Sequence, residues 1–280
     1  MIKFSKANAK IEALKEVPEL AKYLEDKRKV YSFDLLSGYS CPFAKECLSK
    51  ATVNSDGKRK IKDGPDTLFR CFSASQEVQY TNVYNLRKGN FDAMRAIKNR
   101  SGMVQLLNDN LPKKAGIVRI HVAGDFFNEK YFQAWLLVAA INPNVLFYAY
   151  TKSLKFWIDN LNIIPENFIL TASRGGRSDD LIQPFQLRET VVVFSESEAN
   201  TLGLEIDHDD SHACRPDLQN NNFALLIHGS QPKGSEASKA LQVLRKNKVK
   251  HSYSRKVKVC FPGQGKRFVV DSERIHRSRQ

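Results

Sequence analysis

The sequence lacks any long apolar run: no segment reaches the roughly 18 uninterrupted apolar residues that a membrane helix needs. Residues 1–10 also lack the apolar stretch of a signal peptide, so we expect a cytoplasmic protein that does not enter a membrane. Cysteine is scarce, with five in 280 residues. In the reducing cytoplasm, so few cysteines do not indicate a disulfide framework, and they favour metal binding or simple burial.

Acidic residues are outnumbered by basic ones, and the excess is concentrated near the C-terminus. Residues 239–280 hold 13 Lys and Arg against two acids, which is +11 of the net +14 and leaves +3 for the other 238 residues. Such a segment can bind nucleic acid through its phosphate backbone, or it can be a solvated tail that keeps the protein soluble. We therefore divide the chain into a domain at residues 1–250 and a basic C-terminal extension at residues 251–280.

Strand and helix patterns alternate through most of the domain. Short runs that are almost continuously apolar are typical of strands buried on both faces, and intervening helices imply parallel neighbours. The predicted strands are residues 31–36, 116–122, 145–151, 167–173, 190–195 and 223–229, with residues 68–73 as a seventh candidate. This pattern predicts an α/β fold, either a (β/α) partial barrel of about six parallel strands, TIM-barrel-like, or an open doubly wound sheet. In both, functional residues gather at the carboxyl ends of the strands.

The remaining segments are less regular. Residues 5–29 have helical spacing with a restart at Pro18, and residues 90–110 have helical spacing with a break near Gly102. Residues 54–65 are polar and carry Gly and Pro, which indicates loops or a small excursion from the core. In the extension, residues 257–261 and 267–270 could form a hairpin.

Polar residues follow several predicted strands and predict a binding pocket at one edge of the sheet. The candidate cofactor-binding residues are Gly124, Asp125, Lys152, Ser173, Arg174 and Lys233. Gly124 would let a ligand approach the backbone, and Asp125 could accept hydrogen bonds from it, although Asp125 could equally cap a helix. The basic residues indicate an anionic substrate. The loop that contains Lys233 lacks the spacing of a nucleotide-binding loop.

Residues 207–214 are dense in Asp and His and end in Cys214. Carboxylates and imidazoles at such spacing could hold a metal ion or perform acid/base chemistry, and a solvated loop is the alternative. Within this segment, Cys214 is a candidate thiolate ligand, whereas Cys260 in the basic extension is more consistent with a structural role.

Three cysteines, Cys41, Cys47 and Cys71, lie between residues 37 and 75, directly after the first predicted strand. Structural zinc sites usually show paired C-x₂₋₄-C knuckles, and the spacing here is C-x₅-C followed by a cysteine after 23 residues. This spacing suits a [4Fe–4S] cluster better, with one iron open to a ligand or to Cys214. The alternative is three unrelated buried cysteines.

Six motifs together resemble a poorly characterised family of bacteriophage proteins. They are residues 40–47, 69–75, 121–127, 147–153, 170–176 and 227–234, and the resemblance extends over residues 32–246. That family looks like a distant relative of radical S-adenosylmethionine (SAM) proteins, in which three cysteines after the first barrel strand hold a [4Fe–4S] cluster. SAM binds the fourth iron of such clusters. The usual spacing there is C-x₃-C-x₂-C, from which this chain departs.

The resemblance implies specific roles for residues of this chain. Cys41, Cys47 and Cys71 would be cluster ligands, and Gly124 and Asp125 would contact the amine of SAM. The implied reaction is one-electron cleavage of SAM, after which the adenosyl radical abstracts hydrogen from an unidentified substrate. A phage protein of this kind would act in the host cytoplasm.

Two other functions fit parts of the sequence. One is a nucleic-acid-binding protein that uses the basic extension and carries a structural or redox-sensing iron–sulfur cluster. The other is a metal-dependent hydrolase that uses Asp125, His208 and Asp210.

Overall fold

The computed structural model describes residues 1–249 and, for the backbone alone, residues 258–259 and 268–269. Its main sheet has eight strands in the order β1-β2-β5-β6-β7-β8-β10-β9, and β3 pairs with β4 in a separate two-stranded ribbon. The strands are β1 (Ser5–Lys6), β2 (Lys29–Phe33), β3 (Ser49–Val53), β4 (Arg59–Asp63), β5 (Ala115–Ile120), β6 (Leu146–Thr151), β7 (Phe168–Ser173), β8 (Glu189–Val193), β9 (Glu205–Ile206) and β10 (Phe223–Leu226).

Ten α-helices lie in the described ranges, together with short 3₁₀ turns. They are α1 (Ala9–Glu12), α2 (Ala21–Leu24), α3 (Phe72–Gln79), α4 (Thr81–Ala96), α5 (Arg100–Asn110), α6 (Glu129–Ile141), α7 (Leu154–Ile158), α8 (Glu196–Thr201), α9 (Ser211–Cys214) and α10 (Glu236–Lys246). None of these helices is long and apolar enough to cross a membrane.

The α/β class and the six predicted strands are confirmed. Strands β2, β5, β6, β7, β8 and β10 are neighbours in chain order and parallel to one another. The antiparallel strand β1 is at one edge, and the short parallel strand β9 is at the other. The pairings form one open row and do not show a barrel, so a TIM-barrel-like closure stays a prediction.

The alternation of side chains in the strands builds a core on each face of the sheet. In β6, Phe147 and Ala149 join the apolar cluster that includes Trp135 of α6. The intervening Leu146 and Tyr148 join a second cluster on the opposite face. Burying each large apolar side chain stabilises the fold by roughly 1.5–3 kcal/mol relative to leaving it exposed. This two-sided burial explains why the strands are almost continuously apolar.

Helix α6 shows how local sequence fixes an element that packs on the sheet. It begins after Asn128, whose side-chain oxygen accepts a hydrogen bond from Tyr131 N at 2.9 Å. This N-cap contact satisfies one of the donors that a helix start leaves without a partner. The helix then runs from Glu129 to Ile141.

Two sequence predictions need correction. Residues 68–73 do not form a seventh strand, because α3 begins at Phe72 and Cys71 is its N-cap residue. Residues 5–29 are not one or two regular helices but β1, two four-residue helices and two 3₁₀ turns, the second beginning at Pro18. Residues 54–65, predicted to form loops or a small excursion from the core, contribute to the β3–β4 ribbon, which is separate from the main sheet and agrees with the excursion.

The two backbone segments after residue 249 form an antiparallel pair, Lys258–Val259 with Phe268–Val269. This agrees with the predicted hairpin. The other predictions for the basic extension, including the structural role of Cys260, lie outside the described residues.

Candidate functional site

A cavity of about 220 Å³ lies at the carboxyl ends of the parallel strands. Three cysteines from the segment after β2 line it, together with residues at the ends of β5, β6 and β7. Of the ten predicted site residues, seven line this cavity: Cys41, Cys47, Cys71, Gly124, Asp125, Lys152 and Ser173. The strand-end argument from the sequence therefore brings these seven residues together correctly.

The loop that carries Cys41 turns back tightly over the end of β2. Ser40 N donates to Leu36 O at 3.2 Å, and Gly38 N donates to Cys41 Sγ at 3.3 Å. Gly38 has φ +70°, and a Cβ atom there would lie 2.4 Å from Ser49 O. Only glycine fits this position, because both the left-handed backbone and the close approach exclude a side chain.

The neighbouring loop after β7 braces the segment that leads to Cys47. Lys45 N and Glu46 N donate to Gly175 O at 3.2 and 3.0 Å. The carboxylate of Asp179 in turn accepts from Gly175 N at 2.7 Å and from Gly176 N at 3.0 Å. Backbone hydrogen bonds to the loop after β7 thus fix the position of Cys47.

Cys71 lies at the start of α3, where free backbone N–H groups favour negative charge on a neighbouring group. Its own N–H donates to Ser49 Oγ at 3.3 Å, and Ser49 Oγ donates to Asp63 at 2.8 Å. Hydrogen bonds from the backbone of Ser73 and Ala74 lower the pKa of Cys71, but burial outweighs them. The third cysteine is therefore held by the ribbon and by a helix N-terminus.

All three thiols have a raised pKa, mainly because they are buried. The pKa of Cys41 is well above its usual range, with Asp125, Cys71 and Cys47 adding to the effect of burial. Burial and then the neighbouring Cys47 raise the pKa of Cys71 to about 11. Burial also raises the pKa of Cys47, while Lys152 opposes it. Deprotonating all three in one place therefore requires added positive charge.

Asp125 is a buried carboxylate that joins two strand ends. It accepts from Phe126 N at 2.7 Å, Thr151 Oγ1 at 2.6 Å and Lys152 N at 2.8 Å. Burial raises its pKa to about 6, and these hydrogen bonds oppose the rise. Asp125 lines the cavity, but its hydrogen bonds show that it also fixes the end of β6 against the loop after β5.

Lys152 fixes the next strand end in the same way. Its Nζ donates to Ser173 O at 2.7 Å, to Ser173 Oγ at 3.0 Å and to Arg174 O. An ammonium group has three hydrogens, so these contacts use all of its donors. Lys152 therefore adds positive charge near Cys47, and as it stands it has no donor left for a substrate anion.

The floor of the cavity carries a group of charged residues, of which the sequence predicted a role only for Asp210. Asp210 forms ion pairs with Lys10 Nζ at 2.7 Å and with Arg119, and it accepts from Tyr148 Oη at 3.0 Å. Arg119 also lies over the ring of Tyr150, 5.0 Å from its centroid. The sequence does contain a sign of this group, because Arg119 lies inside the otherwise apolar strand β5. A charged side chain in a buried strand needs a partner of opposite charge or a hydrogen-bond acceptor.

Three predicted site residues are not brought to the cavity. Cys214 is fully buried in the second apolar cluster, the one that contains Leu146 and Tyr148, together with Leu14 and Phe223. The guanidinium of Arg174 pairs with Glu189 instead, its Nη2 donating to Oε1 at 3.0 Å. Lys233 is exposed and does not line the cavity.

The Asp- and His-rich segment is organised by ion pairs. His212 Nε2 lies 2.9 Å from Glu205 Oε2, and its Nδ1 lies 3.7 Å from Asp207 Oδ1. Asp207 and then Glu205 raise the pKa of His212 to about 9, with burial opposing them. His208 is exposed, and the pKa of its imidazole is lowered mainly by burial of part of the ring.

These contacts predict a pH dependence of stability. Because the folded pKa of His212 lies above the ordinary value of 6.5, its stabilisation is complete below about pH 6.5 and is lost as the pH rises through about 9. Partial exposure reduces the effect to about 1–2 kcal/mol. Urea unfolding at pH 6.5 and 9.5 should show this loss in the wild type and not in His212→Gln. An equal loss in both proteins would contradict the assignment.

Gly124 supplies a second test of the local geometry. It has φ +94°, and a Cβ atom there would lie 2.6 Å from Ser40 Oγ and 2.8 Å from Leu35 Cβ. We expect Gly124→Ala to lower the free energy of unfolding by at least about 2 kcal/mol. Gly203 has φ +66° and nothing within 4 Å, so Gly203→Ala should cost only about 1 kcal/mol. Equal losses in urea unfolding would show that the close packing at Gly124 is unimportant.

The chemistry and positions of the side chains show whether they could hold a metal ion or a metal cluster. Across residues 1–249, no group of three or more His, Cys, Asp and Glu side chains stands ready to hold a metal ion, a finding that neither supports nor excludes a cofactor. The donor chemistry does fit a cluster: three half-buried thiols line one cavity, their thiolate charges would repel, and backbone N–H groups point at Cys41 and Cys71. Hydrogen bonds to sulfur are a common feature of iron–sulfur sites.

Fold and site together define a mixed α/β protein with a thiol-lined cavity at the carboxyl edge of a mostly parallel sheet. The chain belongs to the family described as Gene product 88, whose model matches residues 2–247. This is an uncharacterised phage-type family, which confirms the coarser part of the resemblance; the match gives no support to a relationship with radical SAM proteins. No curated protein and no solved structure matches the chain.

Proposed function

We propose that the chain is a [4Fe–4S] protein whose cluster is held by Cys41, Cys47 and Cys71. The observation that carries this proposal is that three thiols from two segments of the chain, each positioned by backbone hydrogen bonds, line the same cavity. Their raised pKa values mean that they would stay protonated without a nearby cation. Binding of iron would therefore displace thiol protons, as metal binding to cysteine generally does.

The fourth iron position would face the cavity. Cys214 is a poor candidate for it, because this residue is fully buried in the second apolar cluster and does not line the cavity. A small exogenous ligand is the better candidate. The cavity, at about 220 Å³, is smaller than the roughly 300–1,000 Å³ of typical small-molecule sites. A cavity of this size therefore favours a compact inorganic group alone, and it is small for a cluster and SAM bound together.

Radical SAM-like chemistry on a partial barrel is the finer form of this proposal. When bound, a cluster with an open iron could supply one electron to SAM. The chain's own residues would then exclude water and orient the substrate. Asp125 and Lys152 fix the strand ends at the cavity. At its floor, the two positive charges of Lys10 and Arg119 exceed the one negative charge of Asp210. An anionic substrate group suits such a floor.

The metal-dependent hydrolase is less well supported. Its three proposed residues are not together, because His208 is exposed and does not line the cavity. Asp210 is already compensated by Lys10 and Arg119, and Asp125 accepts three hydrogen bonds from the protein. A divalent ion would have to displace these partners.

Purification without oxygen, followed by iron and sulfide analysis and EPR spectroscopy of the reduced protein, tests the proposal. We expect about four iron and four sulfide per chain and a signal typical of a reduced [4Fe–4S] cluster. Protein without iron would overturn the proposal. Adding SAM tests the finer form: a change in the spectrum would support SAM at the open iron, and an unchanged spectrum would leave a cluster protein of another kind.

A further inference from the structure

The β3–β4 ribbon presents a basic face on its outer side. The register pairs Lys50 with Lys62 and Thr52 with Lys60. Side chains alternate between the two faces of a ribbon, so these four residues share one face. Ala51, on the other face, is fully buried, and α3 packs against both strands of the ribbon. The face with the three lysines is therefore the one turned to solvent.

This arrangement of charge costs stability in the isolated protein. Like charges directly opposite each other in an antiparallel pair are unfavourable, and Lys50 and Lys62 are such a pair. Lys60 and Lys62 are exposed, and in the described part of the chain neither forms an ion pair with an acidic side chain. Bound anions would remove the repulsion.

The spacing of the lysines fits a linear array of phosphates. Lys60 and Lys62 are two residues apart, which is roughly 6.8 Å along an antiparallel strand. A nucleic-acid strand carries one negative charge per nucleotide, so these two side chains can contact two phosphates of the same strand.

An exposed aromatic ring lies beside the lysines. Tyr39 is 42% exposed, its Oη donates to Ala51 O at 3.4 Å, and Lys50 Nζ lies over its ring, 5.0 Å from the centroid. Aromatic rings next to basic residues are the elements with which proteins bind single strands, because any base can stack on them. Tyr39 therefore favours a single strand over other polyanions.

The ribbon is fixed to the body of the protein on its other side. Arg59 donates to Thr81 Oγ1 at 2.7 Å and lies over the ring of Tyr84, 5.1 Å from its centroid. Ser49 and Asp63, at the base of the ribbon, connect it to the backbone of Cys71. The basic face is thus held on a rigid element next to the cysteine cavity.

We propose that the ribbon face, made of Tyr39, Lys50, Thr52, Lys60 and Lys62, binds single-stranded nucleic acid through its phosphate backbone. This binding site is separate from the basic extension, and it does not depend on the cluster proposal.

Fluorescence anisotropy with the full-length protein and a labelled single strand of about 20 nucleotides tests this proposal. The Lys60→Gln/Lys62→Gln variant should bind at least about tenfold more weakly at moderate salt. The slope of log K against log salt should decrease in magnitude by about 1.4, because each phosphate contact to a single strand contributes about 0.7. The variant removes the charge of Lys62, which lies opposite Lys50 in the ribbon. The midpoint of urea unfolding should therefore stay unchanged or rise, so a loss of binding cannot be attributed to misfolding.

Lys113→Gln/Lys114→Gln is the matched control, because both lysines are exposed and precede β5, at the opposite edge of the sheet from the cavity. This variant changes the net charge equally and should bind like the wild type. Equal weakening by both variants, or unchanged binding by the ribbon variant, would overturn the proposal and assign binding to net charge or to the extension. Binding to vesicles of anionic lipid but not to the oligonucleotide would overturn it too.

Discussion

Replacing any one of Cys41, Cys47 and Cys71 with Ala is expected to reduce iron from about four atoms per chain to less than about one tenth of that content. Each thiolate would hold a different iron, so the loss of one leaves two ligands and exposes the cluster to solvent. These side chains are half-buried in a shared cavity, so the variants should still fold. Iron and sulfide analysis after purification without oxygen, with far-ultraviolet circular dichroism to check folding, measures the effect.

Cys214→Ala is the matched control for this series. Cys214 is fully buried in an apolar cluster away from the cavity lining, so its replacement removes packing and no ligand. We expect this variant to keep its full iron content and to lose about 1 kcal/mol of unfolding free energy. Loss of iron in Cys214→Ala, or full iron in any of the three cavity variants, would contradict the proposed ligand set.

The regular part of the fold was predictable because its strands are buried on both faces. The β6 run alternates between two cores, and only its last residues, Tyr150 and Thr151, line the cavity. A strand buried on both faces is almost continuously apolar, and the sequence pattern shows this directly. The β3–β4 ribbon was missed for the opposite reason. One of its faces is solvated, and its sequence of lysines, Asn54 and Gly57 reads as loop when tertiary contacts are unknown.

The site was predictable to the extent that chain topology determines it. Parallel strands bring their carboxyl ends to one edge, which is enough to place Cys41, Asp125 and Lys152 together. The location of Cys214 depends instead on how the four-residue helix α9 packs against β6 and β7, a long-range contact without a local signal. The same applies to Lys10, which reaches the cavity floor from the N-terminal segment.

A buried ion pair beneath the cysteines gives the second large expected effect. Glu77 of α3 is fully buried and accepts from Ser37 N at 3.0 Å and from Ser37 Oγ at 2.6 Å. Arg87 of α4 lies 3.2 Å from the Glu77 carboxylate, and it also donates to Ser73 O at 3.2 Å. The pair thus connects the start of the cysteine loop to the helix that begins after Cys71. Burial raises the pKa of Glu77, and Arg87 opposes the rise.

Arg87→Met should lower the free energy of unfolding by about 3–5 kcal/mol at pH 8, because it leaves a buried carboxylate without its counter-charge. Without Arg87 the folded pKa of Glu77 rises further above its ordinary value, so the loss should be smaller at pH 5.5, where Glu77 can take up a proton, and should grow as the pH rises. Urea unfolding at both pH values measures this. In Arg87→Met/Glu77→Gln the buried charge is gone, so part of the stability should return and its pH dependence should disappear. A double variant no more stable than Arg87→Met at pH 8 would show that packing by Arg87, not charge compensation, secures the cysteine loop.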